Sequence, residues 1–318
     1  MVTGGTGFVG ANLVRRLLSD GHEVHLLVRP NYTPWRIEAI RRDVRIHVLD
    51  MAEPEFLTQE VERIRPDWVF HLAAHGAYSW QTDLQEIIRT NIVGTFNLVE
   101  ACLKAGFEAF VNSGTSSEYG FKGHGPSETE WLEPNSAYAV TKASASMFCR
   151  HRAQSKGANI TTLRLYSVYG PYEEPNRLVP ALVVRGLDGG YPPLASPDIA
   201  RDYVFTDDAL DAYLLAASSP AVEPGAVYNV GTGAQTTLRE IADIARRVMS
   251  IEAEPVWGSM KNRVWDTSTW VADSGRIRRD LGWIPKHSLE EGLRKTVDWF
   301  VGNPELLGFY RCALGVAK

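Results

Sequence analysis

A chain of 318 residues, 44% apolar and 22% charged, is long enough to bury a full core as one large domain or two coupled ones. A net charge of −5, without any long run of Lys and Arg, argues against nucleic acid or an anionic membrane as partner. Cys102, Cys149 and Cys312 share no metal-ligand spacing and leave one over in any disulfide scheme. No stretch reaches the ~20 apolar residues of a membrane span and no leader pattern opens the chain, so a cytoplasmic protein is expected.

The chain enters a glycine loop at once. In "MVTGGTGFVG", Gly4, Gly7 and Gly10 recur every third residue, and Gly5-x-Gly7-x-x-Gly10 also fits dinucleotide-loop spacing. Glycines let the backbone turn sharply beside a pyrophosphate, and a helix starting near Phe8 points its N–H groups at the anion. Only Met1, Val2 and Thr3 remain for the first strand, where about five residues are usual, so the natural start is expected upstream.

Apolar, β-branched runs predict strands at 24–28, 44–49, 68–73, 109–112 and 161–166, and amphipathic stretches predict helices at 8–18, 84–105 and 138–154. This alternation predicts an α/β fold: a Rossmann-type, doubly wound parallel sheet with ligands at the carboxyl ends of its strands. After residue 167 prolines space out short segments, and five of the nine Trp lie beyond position 250, which marks a smaller C-terminal substrate-binding lobe. Val204-Phe205, a helix from Asp207 and "VYNVGTG" read as a return to the main sheet. The expected division is therefore 1–167 with 202–234 for the dinucleotide, and 168–201 with 235–318 for the substrate.

"NSGTSSEYG" (112–120) ends a predicted strand and "NSAYAVTKAS" (135–144) opens a predicted helix. Tyr138 and Lys142 are four apart and share a helix face. A cationic Lys beside a phenol lowers its pKa, so the phenol can exchange a proton with a sugar hydroxyl or ketone, and a Ser or Thr hydroxyl can bind the same oxygen.

With these pieces in hand the chain resembles the extended short-chain dehydrogenase/reductases, in the NAD-dependent epimerase/dehydratase branch that modifies nucleotide sugars. The resemblance runs through "TGGTGFVG", "HLAA", "TNIVGTFNLVEAC", "SGTSSEYG", "YAVTK", "RLYSVYGP", "RDYVFTDDA", "YNVGTG" and "DLGWIPKHSLEEGLRKTVDWF". It implies Thr115, Tyr138 and Lys142 as the catalytic set, with Tyr138 as acid/base and Lys142 also holding the nicotinamide ribose. For the cofactor it implies Gly4, Thr6, Gly7, Phe8, Val9, Gly10, Asp50 at the adenine, Met51, Leu72, Ala73, Ala74, Ser113, Tyr166 and Val168, with Asn91 as a support. For a nucleotide-sugar substrate it implies His75, Ser116, Ser167, Arg201 on the diphosphate, and Arg263. It also implies a homodimer formed through the helices at 84–105 and 138–154.

Departures from the family pattern carry information. Aligned on "HEV", the acid of NAD-binding members falls on Val28, and Arg29 follows it. An arginine there pairs with a 2′-phosphate, which points to NADP with NAD as the alternative, or it is an exposed loop residue. Arg36 could join that anion pocket. Family dehydratases place an acidic pair after the active-site Thr, whereas Ser116 and Ser117 follow Thr115 here. By strand alternation Glu118 points away, so elimination is disfavoured. Ser167 replaces an Asn that many members aim at substrate phosphates. In "HGAYSWQTD" Ser79, Trp80 and Gln81 either touch substrate or pack the loop. His22, His25, His47, His71, His124, His151 and His287 form no ligand cluster, and no metal is expected.

An NADP-type pocket without a dehydratase acid fits a 4-ketoreductase of an NDP-4-keto-6-deoxyhexose. An NDP-sugar 4-epimerase with tightly bound NAD is the alternative; a 4,6-dehydratase and a non-catalytic dinucleotide sensor stand further off, the last because Tyr138 and Lys142 are both present.

Overall fold

A computed structural model describes residues 1–219, 223–263 and 266–316. In chain order its elements begin with β1 (Val2–Thr3), α1 (Phe8–Ser19), β2 (His25–Val28), β3 (Arg45–Val48), α2 (Pro54–Ile64), β4 (Trp68–His71), α3 (Leu84–Ile88) and α4 (Thr95–Ala105). Then come β5 (Ala109–Thr115), α5 (Ala137–Lys156), β6 (Ile160–Leu165), β7 (Ser167–Tyr169), α6 (Leu178–Leu187), β8 (Ala200–Phe205) and α7 (Thr206–Ser218). The last are β9 (Val227–Val230), β10 (Gln235–Thr237), α8 (Leu238–Met249), α9 (Gly275–Leu281), α10 (Leu289–Gly302) and α11 (Pro304–Ala313).

The main sheet runs β3-β2-β1-β4-β5-β6-β9, all parallel, with helices on both faces. Strands covered on both faces need apolar side chains on both, and Leu26, Leu27, Val69, Phe70, Phe110 and Val111 are all buried. The chain works outward from β1 to β3, then crosses back to β4, so the order reverses between β1 and β4. The glycine loop, the segment after His71 and Thr115 all leave the sheet at that carboxyl edge, the ordinary place for a ligand in such a fold.

A second sheet, β10-β8-β7, pairs β8 antiparallel to β10 and parallel to β7. It helps build a separate apolar cluster with Leu182, Val183, Leu238, Ile241, Leu293, Phe300 and Tyr310. Helices α8 and α10 start at capping boxes, Thr237 with Glu240 and Ser288 with Glu291, which close their free N–H groups. Here the sequence reading needs correcting: residues 202–205 pair within this second sheet, and the return to the main sheet is made by α7 and β9. Among the described residues no helix is long and apolar enough to cross a membrane.

Two more boundaries differ in ways that matter for the site. Strand β5 continues to Thr115 instead of ending near 112. The single helix expected over 84–105 is interrupted by a π turn at Arg89–Gly94. That wider turn carries Asn91, whose side chain bonds inward to two neighbouring elements, and such insertions often mark functional positions.

Candidate active site

Gly4 has φ +69°, and a Cβ there would stand 2.5 Å from the Ala73 nitrogen; one on Gly10 would stand 2.2 Å from the Gly4 carbonyl oxygen. Both must be glycine for β1, α1 and the post-β4 segment to approach so closely. Gly7 donates to Gly4 O at 2.9 Å and caps α1 without a side chain over its first turn, so those N–H groups face an anion site directly. Thr6, Phe8 and Val9 line this turn half-buried. Leu72 and Ala73 are tied to Thr3, through the Leu72 N–H to its carbonyl at 3.1 Å and the Ala73 N–H to its hydroxyl at 3.2 Å, while Ala74 is exposed. This cradle, narrow and rich in free N–H groups, fits the pyrophosphate of a dinucleotide.

Where an adenosine would extend from it, Asp50 accepts the Ala52 N–H at 2.8 Å and the Arg89 guanidinium at 2.9 Å. Partial burial alone would raise this carboxyl, but those two bonds hold it below its ordinary value. Met51 lies against Gly94 and accepts from Asn97 through its carbonyl. Arg29, 56% exposed at its side chain, donates to Glu86 at 2.9 Å. Arg36 is not in this pocket: it is buried, bonded to Tyr172 O and Glu174, and stacked on Trp35. The two residues of a supposed joint anion pocket therefore have separate partners.

Helix α5 is capped by Ser136, whose hydroxyl accepts the Ala139 N–H at 3.1 Å. One turn along, Tyr138 and Lys142 face the carboxyl end of β5, where the Thr115 side chain stands beside the phenol. Lys142 is 2% exposed, and its ammonium has no hydrogen-bond partner among the described residues. Burial pulls that ammonium below its ordinary value, and the Glu118 charge opposes the fall. The lowered phenol expected from sequence is not found: burial, then the Glu118 charge, push Tyr138 up to about 12. The inference about Glu118 also needs a different reason. Residues 116–119 form a 3₁₀ turn, so alternation does not apply; Glu118 is turned inward because both its oxygens are engaged, by Thr115 N–H and Ser146 on one and by Arg164 on the other.

Asn91 joins this site to the loop after β4. Its carboxamide accepts the His75 N–H at 2.8 Å and donates to His75 O at 2.8 Å and to the Thr141 hydroxyl at 2.9 Å, beside Lys142. In that loop Gln81 accepts the Gly76 and Tyr78 N–H groups and Trp80 stacks on Tyr78, so these two side chains shape the loop. Ser113 hydrogen-bonds the Tyr213 hydroxyl of α7. Ser116 and Tyr166 line a small recess with Tyr119, Lys122, His124 and Trp270. Ser167 and Val168 pair with Tyr203 and Val204 across β7 and β8. On β8, Arg201 donates to Asp266 at 2.8 Å, and the Arg263 N–H donates to the same carboxylate at 2.7 Å, which brings these two residues together on the lobe side.

Sequence reasoning passed over Arg177, the residue before α6. It pairs with buried Glu173 at 3.6 Å and lies near enough for its charge to reach both the Tyr138 phenol and Arg201. A basic residue at a helix start just beyond "RLYSVYGP" was the available signal.

Comparison with known proteins agrees with this architecture. The model of the NAD dependent epimerase/dehydratase family matches residues 1–231. A dTDP-glucose 4,6-dehydratase of Streptomyces griseus is 30% identical, covering 94% of this chain and 93% of its own. Solved structures include a UDP-glucose 4-epimerase of Thermotoga maritima with UDP-glucose, at TM-score 0.85, 30% identity and coverage of 95% and 98%. Another is a dTDP-glucose 4,6-dehydratase of Streptomyces venezuelae with NAD bound, at TM-score 0.84, 28% identity and coverage of 96% and 97%. The chain belongs to the NAD dependent epimerase/dehydratase family and is an enzyme of the extended short-chain dehydrogenase/reductase type.

Proposed function

We propose that this enzyme carries out redox chemistry at C4 of a nucleotide sugar without eliminating water, and that it is a 4-ketoreductase of an NDP-4-keto-6-deoxyhexose. One observation carries the reading: Glu118, the carboxylate following Thr115, is 0% exposed and paired with Arg164 at 2.8 Å, so it cannot reach a sugar as the acid of a dehydratase. Arg29 at the end of β2 supports NADP, which cells keep largely reduced. A 4-epimerase with retained NAD is the second reading, favoured by the Arg29–Glu86 pair, which occupies the cation a 2′-phosphate would need, and by the NAD bound in the dehydratase relative.

When bound, the nicotinamide supplies or accepts the hydride. Tyr138 gives its proton to the C4 oxygen as that oxygen gains charge, or takes it back in the reverse direction; Thr115 binds the same oxygen. Lys142 sets a positive charge one helical turn away, which favours the phenolate formed as the proton leaves. We further propose residues 1–167 and 206–234 as the cofactor unit and the remainder as the nucleotide-sugar lobe, with Arg201 and Arg263 toward the substrate. A homodimer through α4 and α5 is supported by the stacked Phe96–Phe148 pair and by Met147, 64% exposed beside it. A cytoplasmic setting is supported by the buried free thiols of Cys102 and Cys149.

The test is to incubate the enzyme with a UDP- or dTDP-4-keto-6-deoxyglucose and NADPH. Steady loss of NADPH absorbance, abolished in Tyr138→Phe while NADPH still binds, supports the ketoreductase. No consumption, together with interconversion of UDP-hexoses by enzyme holding NAD, rejects it in favour of the epimerase.

A further inference from the structure

The proposed chemistry leaves unused a carboxylate that lies directly beneath it. Glu118 enters the protein interior through a gap left by Gly114, where a Cβ would stand 2.7 Å from its Oε1. That oxygen accepts the Thr115 backbone N–H at 2.9 Å and the Ser146 hydroxyl at 3.0 Å. Ser146 lies on α5 one turn beyond Lys142, so a single oxygen bridges the strand end bearing Thr115 and the helix bearing Tyr138 and Lys142. The other oxygen accepts Arg164 Nε at 2.8 Å. Arg164 reaches on to the Tyr119 hydroxyl at 2.8 Å, and that hydroxyl donates to Asn229 at 2.8 Å, so the pair is held by further bonds on β6 and β9.

We propose that Glu118 is a positioning residue: its carboxylate locks the Thr115 strand end to the Tyr138–Lys142 helix and supplies the negative charge that keeps the buried Lys142 ammonium ionised. A cation without a hydrogen-bond partner in a closed interior favours losing its proton, unless an anion is near. The charged and titratable groups around Glu118 are Arg164 from β6, Tyr119 from its own turn, and Tyr138, Lys142 and Cys149 from α5. Beyond Arg164 stands Glu128, whose carbonyl that arginine also approaches, and the Lys142 charge also reaches His71. Arg164 bonds Oε2, while Oε1 takes its bond from Ser146 on α5, the helix that carries Lys142.

The proposal rests on reading Tyr138 and Lys142 as the catalytic pair, but its test needs no substrate. The Lys142 ammonium is titrated in the free enzyme through the ¹³Cε resonance of labelled lysine, assigned by its loss in Lys142→Met. In Glu118→Gln the midpoint is expected at least about one pH unit lower than in the parent. Glu118→Gln/Arg164→Met is measured alongside, because it leaves no buried guanidinium unpaired, and a smaller fall in the same direction is expected, since losing the arginine charge favours the ammonium. Ser146→Ala, which keeps the charge and removes one bond, is expected to hold the parental midpoint. A midpoint unmoved in both Glu118 variants overturns the proposal, as does an equal fall in Ser146→Ala. Failure of both Glu118 variants to fold overturns it too, since the carboxylate would then serve architecture alone. A change of substrate or reaction leaves these outcomes untouched.

Discussion

Asn91 and Thr141 are joined side chain to side chain at 2.9 Å, across the gap between the π turn after α3 and the helix that carries Lys142. The same carboxamide grips both backbone groups of His75, so one residue aligns the post-β4 loop with α5. Asn91 is fully buried. Asn91→Ala is expected to lose about 2–3 kcal/mol, the cost of leaving buried polar groups unmet, and to lower turnover by loosening His75. Urea unfolding measures the first and steady-state kinetics the second; a variant within ~0.5 kcal/mol of the parent would remove Asn91 from this role.

The close approach at the glycine turn makes an equally direct prediction. A methyl on Gly10 meets the Gly4 carbonyl oxygen at 2.2 Å and its carbon at 2.8 Å, and both are backbone that cannot step aside as a side chain would. Gly10→Ala is expected to weaken nicotinamide dinucleotide binding at least about tenfold, because displaced N–H groups no longer converge on the pyrophosphate. Gly123→Ala, where no atom of the described residues lies within 4 Å, serves as the control and is expected to bind normally. Titration by quenching of tryptophan fluorescence reads both.

His71 supplies a pH dependence whose sign follows from its partners. It is fully buried, with Nδ1 2.7 Å from the Thr3 hydroxyl and Nε2 2.8 Å from the Thr95 hydroxyl. Thr95 spends its proton on Asn91 O, so Nε2 donates to Thr95 and Nδ1 accepts from Thr3: the ring is neutral. Burial, with the Lys142 charge adding to it, pulls this imidazole down to about 3 from an ordinary value of 6.5. The unfolded chain therefore binds a proton here before the folded one does. The stability the ring contributes is complete above about 6.5 and is lost as pH falls from there toward 3. The urea midpoint is expected to drop over that window, and to drop less in His71→Asn; parallel pH profiles for the two proteins would count against the assignment.

How much of this could be read beforehand depended on whether the signal was local. The glycine spacing, the Tyr138–Lys142 pair and the apolar strand runs each lie within a few residues; the runs form the sheet, and the first two lie at its carboxyl edge. What escaped was set by distant partners. Arg36 looks like an anion ligand until Glu174 and Tyr172, far along the chain, claim it. Strand periodicity points Glu118 away from the site, yet a capping turn and Arg164 decide where it lies. The break at Asn91 does not show in the helical pattern, because a π turn here is a single wide turn set inside a longer helical stretch. Residues 202–205 read as a buried strand, and nothing in them says which sheet they join.

Cofactor choice turns on the pair formed by Arg29 and Glu86, 2.9 Å apart and open to solvent at the end of β2. If Arg29 receives a 2′-phosphate, the phosphate must take it from Glu86, and binding pays that exchange. An exposed pair of this kind is worth no more than about 1 kcal/mol, roughly fivefold in affinity. Glu86→Gln frees the guanidinium and removes a negative charge from the pocket, so NADPH is expected to bind up to about fivefold tighter while NADH, lacking the phosphate, changes little. Arg29→Ala is expected to act in reverse, weakening NADPH by about tenfold or more against an unchanged NADH. Dissociation constants for both cofactors in the parent and the two variants decide the matter. NADPH and NADH moving together in both would assign Arg29 and Glu86 to the surface of the fold and leave NAD as the cofactor, and with it the epimerase.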